Sequence, residues 1–179
     1  MAKLRPARCY RVKKRSWTRQ SKKRPKKGYV RGVPALKLKR FRTGQRLTYD
    51  HVFRIVSDSD IQVRDAALES ARIAMSNYLQ KNIKQEFYLV LRKYPFQVLR
   101  EHKQAAVAGA DRFFSGMRRA FGKPCGSAVM LKPGEVLFEL RTNKKNGTVV
   151  KEAFRRAKAK MPGEYSLVAE ELTLEMVKD

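Results

Sequence analysis

The chain has 179 residues, enough for one domain with a buried core. Its 42 Lys and Arg residues against 16 Asp and Glu residues give a formal net charge of +26. So many like charges repel one another unless a polyanion neutralises them, and nucleic acid is the commonest polyanionic partner. No apolar run approaches about 18 residues and no apolar signal opens the chain, so we expect neither a membrane span nor secretion. The two cysteines, Cys9 and Cys125, are too few for a disulfide framework or a metal knuckle, which favours the cytoplasm.

The charge is distributed unevenly, and its distribution predicts three segments. Residues 1–46 contain 19 Lys and Arg and no acidic residue, residues 47–161 contain 22 basic and 11 acidic residues, and residues 162–179 contain one basic and five acidic residues. We therefore predict a basic RNA-binding arm over 1–46 that packs on the body, a globular body over 47–163, and a short acidic C-terminal tail over 164–179.

The arm has few apolar residues and several prolines and glycines, so it cannot form a core of its own. Aromatic residues such as Trp17 and Phe41 are nevertheless interleaved with its cations. Either it is a disordered tail with a few docked residues, or RNA orders it, with cations on phosphates and aromatics on bases; we favour RNA. Leu36, Leu38 and Arg40 alternate with lysines, which predicts a short strand. The candidate RNA-binding residues of the arm are Arg5, Arg8, Arg11, Lys13, Lys14, Arg15, Trp17, Arg19, Lys22, Lys23, Arg24, Lys26, Lys27, Arg31, Lys37, Lys39, Arg40 and Arg42.

The body begins with a predicted strand over 51–57, where apolar residues alternate. Ser59 and Gln62 fit a capping box, so we expect a helix from about Ile61 to Lys81. Its apolar face would pack against a sheet. The residues of that face are Val63, Ala67, Leu68, Ala71, Ala74, Met75, Tyr78 and Leu79.

Further strands follow this helix. Residues 86–92 predict a strand rich in aromatic and β-branched residues, and residues 96–99 predict an edge strand after a proline. Residues 127–131 and 135–141 predict a hairpin about the turn Lys132–Pro133–Gly134.

A second helix is predicted over 148–161, ended by Pro162–Gly163, and a last strand around 165–169. The cations of its C-terminal half are either a solvated helix face or an RNA contact, and the sequence leaves both open; they are Arg155, Arg156, Lys158 and Lys160. The predicted fold is thus α+β: two helices packed on a mixed β-sheet of five or six strands, an α/β sandwich, with an extended basic N-terminal arm.

The stretch 109–126 (GADRFFSGMRRAFGKPCG) combines glycines, cations and aromatics. Glycine permits close approach of the backbone to another surface. Arg112, Arg118, Arg119 and Lys123 are therefore candidate RNA-binding residues. The three phenylalanines of the stretch either pack on their own domain, which we favour, or stack on unpaired bases; they are Phe113, Phe114 and Phe121.

No catalytic or metal site is predicted, and no cofactor. Gly116 and Gly122–Lys123 do not fit a P-loop, because five residues separate the glycines and Pro124 replaces the Ser or Thr that would hold Mg²⁺. Cys125 with His102 as base lacks any sequence signature of a cysteine nucleophile. We therefore predict that the protein is not an enzyme. An RNA-modifying enzyme using the glycine-rich loop is the alternative, and a DNA-compacting protein is a third.

The sequence resembles the universal L-sixteen family of large-subunit ribosomal proteins, in its archaeal and eukaryotic L-ten-e branch. The resemblance runs from residue 5 to residue 163 in the family's order, and the acidic tail is not covered. The matching stretches are 5–11 (RPARCYR), 31–34 (RGVP), 68–73 (LESARI), 109–112 (GADR), 116–119 (GMRR), 120–126 (AFGKPCG), and 153–160 with 162–163.

This resemblance implies an α/β sandwich bound to large-subunit rRNA in the cleft where the elbow of the aminoacyl-site tRNA passes. Residues 102–126 would be the loop facing RNA and tRNA, with 102–116 directed toward the peptidyl transferase centre. It further implies transient contact with aminoacyl-site tRNA, neighbouring ribosomal proteins and late assembly factors. We expect no membrane partner and no homo-oligomer.

Overall fold

The structure is a computed structural model that describes residues 30–101 and 122–172; residues 1–29, 102–121 and 173–179 lie outside the described residues. The described residues form eight strands and two helices: β1 Arg42–Gly44, β2 His51–Ser57, β3 Ile61–Arg64, α1 Asp65–Ile83, β4 Tyr88–Leu91, β5 Gln97–Glu101, β6 Lys123–Leu131, β7 Val136–Thr142, α2 Gly147–Lys158 and β8 Tyr165–Glu171.

The strands form two antiparallel sheets. The first has five strands in the order β1-β4-β7-β2-β8, and the second has three in the order β3-β6-β5. The predicted α+β class with two helices is confirmed, although the strands divide between two sheets instead of forming one. The predicted edge strand after Pro95 is β5, at one edge of the three-stranded sheet.

The predicted hairpin between β6 and β7 is wrong, although its turn is present. The Glu135 N–H donates to the Lys132 carbonyl (3.1 Å), and Gly134 has φ +82°, where glycine is favoured. However, β6 pairs with β3 and β5, whereas β7 pairs with β2 and β4. Ser57 at the end of β2 explains the change of sheet, since its carbonyl accepts from Gly134 N–H (2.8 Å) and its N–H donates to the Glu135 carbonyl (3.1 Å).

The first helix begins four residues later than predicted. Ile61–Arg64 pairs with β6 as strand β3, and Val63 is fully buried there. The capping box at Ser59 and Gln62 is therefore wrong, because pairing with a strand distant in sequence overrides the local signal. The buried apolar face of α1 consists of Leu68, Ala71, Met75, Leu79 and Ile83.

The core lies between the helices and the sheets. Phe53 and Leu140 of the five-stranded sheet, Met75 of α1 and Val150 of α2 line the same small interior space, so both helices cover one face of that sheet. Helix α1 also contacts β3 and β6 of the second sheet. No helix in the described part of the chain is long and apolar enough to cross a membrane.

The short strand predicted around residues 36–40 is wrong in its position. The strand of this segment is β1, which begins at Arg42 and pairs with β4. Gly44 ends it with φ +95°, and a Cβ atom there would lie 2.1 Å from the Phe87 carbonyl oxygen. Glycine at this position therefore lets the segment approach the sheet edge closely.

Candidate nucleic-acid interface

The described part of the predicted arm, residues 30–46, alternates between buried apolar and exposed cationic side chains. Val30 and Leu38 are buried, and Leu38 belongs to the main core. The five described cations that we predicted to bind RNA are all exposed: Arg31, Lys37, Lys39, Arg40 and Arg42. The segment is thus packed on the body by its apolar residues, with these five cations exposed to a partner.

Two carboxylates of helix α1 bind the backbone of this segment. The Lys37 N–H donates to Asp65 Oδ2 (3.1 Å), and the Lys39 N–H donates to Glu69 Oε2 (3.3 Å). These are the amides that a strand ladder would otherwise have satisfied. Because Leu38 lies between them, its side chain enters the core while the side chains of Lys37 and Lys39 point outward.

Arg72 holds the second carboxylate in place. Its guanidinium donates to Glu69 through Nε (2.9 Å) and Nη2 (2.6 Å), and its Nη1 donates to Thr43 Oγ1 (3.0 Å). Glu69 and Arg72 are each only 8% exposed. We call Asp65, Glu69 and Arg72 the arm-binding triad, because together they contact residues 37, 39 and 43.

The pKa of Glu69 reports this environment. The hydrogen bond from Arg72 lowers the pKa of the carboxyl below its ordinary value, burial opposes that change, and the Lys39 N–H lowers the pKa further. The carboxylate is therefore ionised at neutral pH. Its negative charge strengthens both hydrogen bonds, as expected of charge-assisted pairs.

An exposed aromatic ring lies beside the arm. Tyr94 stacks on Phe41 with ring centroids 5.6 Å apart and planes inclined by 13°, and Tyr94 is 45% exposed. Arg40 and Arg42 flank Phe41 in sequence. An outward aromatic face among cations suits stacking of an unpaired base. Our sequence reasoning missed Tyr94, and the only available signal was an aromatic residue beside Pro95 between two strands.

A buried acid holds Arg92, which lies two residues before Tyr94. Glu139 on β7 is 3% exposed and accepts from Arg92 Nε (2.6 Å) and Arg141 Nε (2.8 Å). Burial raises the pKa of Glu139, but the hydrogen bonds from Arg92 and Arg141 outweigh burial and lower it overall. Glu139 therefore remains charged and fixes the orientation of the Arg92 guanidinium.

Lys123 is the one predicted site residue of the glycine-rich stretch that lies among the described residues. It is exposed at the start of β6 and is in register with Glu101 of β5. Arg100 Nη1 donates to the Gly122 carbonyl (3.0 Å), which ties the two strand ends together. Residues 102–121 connect these ends, and they lie outside the described residues.

The structure thus brings together some predicted residues and leaves others undescribed. Arg31, Lys37, Lys39, Arg40 and Arg42 belong to one segment that leads into the edge strand β1 of the five-stranded sheet, whereas Lys123 lies in the three-stranded sheet. The remaining predicted residues fall outside the described ranges: Arg5, Arg8, Arg11, Lys13, Lys14, Arg15, Trp17, Arg19, Lys22, Lys23, Arg24, Lys26, Lys27, Arg112, Arg118 and Arg119.

Cys125 lies among the described residues, whereas His102, the base considered for it in the sequence, lies outside them. The Cys125 thiol donates to the Leu99 carbonyl (3.4 Å) across the β5–β6 pair. The other histidine of the chain, His51, lies on β2, in register with Glu171 of β8. Over residues 30–101 and 122–172, no group of three or more His, Cys, Asp or Glu residues could hold a metal ion.

Comparison with known proteins gives consistent matches over almost the whole chain. The family described as ribosomal protein L16p/L10e matches residues 13–168. The large ribosomal subunit protein uL16 of Caldivirga maquilingensis is 43% identical over 167 residues, 89% of this chain and 90% of the relative. That of Hyperthermus butylicus is 42% identical, covering 88% of each chain. That of Methanococcus maripaludis is 40% identical, covering 98% of this chain and 99% of the relative.

The variant Glu69→Gln tests the arm-binding triad. We expect it to lower the free energy of unfolding by about 3 kcal/mol, because it leaves Arg72 buried without a charged partner. The matched control is Glu152→Gln, which removes an i,i+3 partner of an arginine on an exposed helix face. We expect little effect from it, since exposed ion pairs contribute little. Urea unfolding measures both variants, and equal losses would contradict the assignment.

The same variant has a defined pH dependence. Because the folded pKa of Glu69 lies below its ordinary value of 4.5, its contribution to stability is complete above about pH 4.5. This contribution is lost as the pH falls through the folded pKa. The difference between wild type and Glu69→Gln should therefore shrink below about pH 4.5, and a constant difference would show that ionisation of Glu69 is not its cause.

Proposed function

The chain belongs to the ribosomal protein L16p/L10e family, and we propose that its arm and the tyrosine beside it bind rRNA at the surface just described. The protein is a structural constituent of the large ribosomal subunit and not an enzyme. Its partners are therefore rRNA and neighbouring ribosomal proteins, and its place is the cytoplasmic ribosome.

The observation that supports the proposal is that, along residues 37–42, the backbone contacts the body while the cationic side chains face solvent. The backbone of Lys37 and Lys39 is bound to buried carboxylates, while the side chains of the segment's cations are exposed. A cation whose backbone is already fixed loses less conformational freedom when it meets a phosphate than one on a free chain. Such a segment suits a folded polyanion whose phosphates have fixed positions.

Removing arm cations tests this surface without removing the core residue Leu38. Loss of two phosphate contacts in Arg40→Gln with Arg42→Gln should reduce the slope of log affinity against log salt by about two. The probe is a transcript of archaeal large-subunit rRNA, and the full-length protein is used. The control is Lys132→Gln with Lys151→Gln, which removes the same charge from exposed sites elsewhere. An equal decrease in the salt slope in the arm variant and in the control variant would reject a specific contact between the arm and RNA.

Tyr94 supplies a second and independent test. A base stacked on its outward face should contribute about 1–3 kcal/mol, so Tyr94→Ala should weaken binding by about 5- to 150-fold. The salt slope should stay unchanged, because no charge is removed. Tyr94→Phe keeps the ring and should bind like wild type. Equal affinities of the alanine and phenylalanine variants would remove Tyr94 from the interface.

We further propose that the segment connecting β5 and β6 meets aminoacyl-site tRNA near the peptidyl transferase centre, and that late assembly factors contact the same region. The support is the sequence resemblance of the stretches 109–112 and 116–126, together with the cations of this segment and the strand pairing at its base. Two strands held in register give the segment a fixed origin on the body.

The paired substitution Arg118→Ala with Arg119→Ala tests the tRNA contact. Large subunits carrying it should assemble but bind aminoacyl-site tRNA more weakly and synthesise peptide more slowly. Lys132→Ala, a change at the exposed turn before β7, serves as the control. Wild-type tRNA binding by the double variant would contradict the proposal.

A further inference from the structure

A second cationic surface lies on the other side of helix α1, in an open groove of 520 Å³ between α1 and α2. Tyr78 and Lys81 line it from α1, and Arg155, Arg156 and Lys160 line it from the end of α2. Ala74 and Ala159 are also lining residues, and their short side chains leave the groove open. Its four cations are Lys81 of α1, Arg155 and Arg156 of α2, and Lys160 just after α2, so they come from two regions distant in sequence.

The two arginines of the groove are oriented by contacts within the protein. Glu152 accepts from Arg155 through Nε and Nη2 (both 2.8 Å) and from Arg156 Nε (3.0 Å). The Arg156 guanidinium also lies 4.1 Å from the centroid of the Tyr78 ring, within the range of a cation–π contact. Hydrogen bonds from Arg155 and Arg156 lower the pKa of Glu152 to about 2. A single carboxylate thus orients two guanidinium groups and leaves the groove with an excess of positive charge.

The two lysines of the groove form no ion pair within the part of the chain that the structure describes. No carboxylate among the described residues forms an ion pair with Lys81 or Lys160, and both side chains are exposed. The acidic residues of β8 are engaged elsewhere, since Glu170 pairs with Arg54 and Glu171 lies 3.6 Å from both His51 and Lys144. The described acids of the C-terminal region are therefore not the partner of this groove.

We propose that this groove binds the sugar-phosphate backbone of an rRNA segment, as a site separate from the arm; the inference rests on the proposed function. Oriented arginines recognise phosphate through parallel donors, and flexible lysines add point charges beside them. An open groove with no described acid beyond Glu152 suits a continuous polyanion better than a small ligand enclosed in a pocket. The chain's net charge of +26 supports the same partner.

A purely structural explanation makes a different prediction. The C-terminal halves of both helices meet at the groove, and cations stabilise helix C-termini through the macrodipole. If that were their only role, removing them would lower the melting temperature and leave RNA binding unchanged. The RNA proposal predicts instead that RNA binding weakens while the melting temperature stays near that of wild type.

The test uses the full-length variant Lys81→Gln with Lys160→Gln, which leaves no described ion-pair partner behind. Against the large-subunit rRNA transcript, its salt slope should fall by about two, with a melting temperature near that of wild type. The control is Lys151→Gln with Lys158→Gln, which removes two exposed charges from α2 outside the groove lining. An unchanged slope, or an equal fall in the control, would overturn the proposal.

Photocrosslinking in assembled subunits identifies the occupant directly. Asn77 lines the groove and is exposed, so Asn77→p-benzoylphenylalanine places a reactive group there. A crosslink to rRNA would support the proposal, and a crosslink only to protein, or none, would overturn it. The arm variants distinguish failure of this proposal from failure of the proposed function. If the salt slope falls in Arg40→Gln with Arg42→Gln but not in Lys81→Gln with Lys160→Gln, the groove is not an rRNA site, while rRNA binding by the arm stands.

Discussion

The contact between the buried carboxylates of α1 and the backbone of residues 37 and 39 determines how the rest of the surface is arranged. A segment rich in cations cannot pack on a basic body through its cationic side chains, because like charges repel. Its backbone amides, however, are neutral donors. Asp65 and Glu69 accept from them, and Leu38 enters the core between the two contacts. These contacts therefore hold the segment through the backbone of Lys37 and Lys39 and not through their side-chain ammonium groups.

Three acidic residues orient arginine side chains in the same way. Glu139 is buried and accepts from two arginines, Glu69 accepts from one, and Glu152 orients two more on a helix surface. In each case the neighbouring arginines lower the pKa of the carboxyl, so the acid stays charged. With only 16 acidic residues against 42 basic ones, these acids position guanidinium groups and cannot neutralise the surface as a whole. The excess charge is left for the RNA partner.

Much of the fold could be predicted from local pattern, and the exceptions share a cause. The alternation in β2 and the apolar face of α2 were sufficient to locate both elements. Ile61–Arg64 was assigned to a helix because its capping signal is local, whereas its pairing with β6 joins residues 64 to 70 positions apart. The division into two sheets has the same origin. The backbone of Ser57 forms hydrogen bonds with Gly134 and Glu135, which are more than 70 residues away in sequence, so a local pattern does not reveal them. At the interface, the exposed cations were predictable from composition, but the stacking of Tyr94 on Phe41 depends on the pairing of β1 with β4.

Helix α1 relates the two surfaces to each other. At about 100° per residue, the arm-binding triad and the groove residues Asn77, Tyr78 and Lys81 fall on opposite sides of the stripe formed by Leu68, Ala71, Met75 and Leu79. That stripe is buried in the core. Since the core fixes the rotation of the helix, it also fixes the position of residues 37–43 relative to the groove. An RNA that meets both surfaces must present phosphates on two sides of one rigid element, and a second contact made on such an element costs little further entropy. This requirement would select a folded RNA over an extended strand.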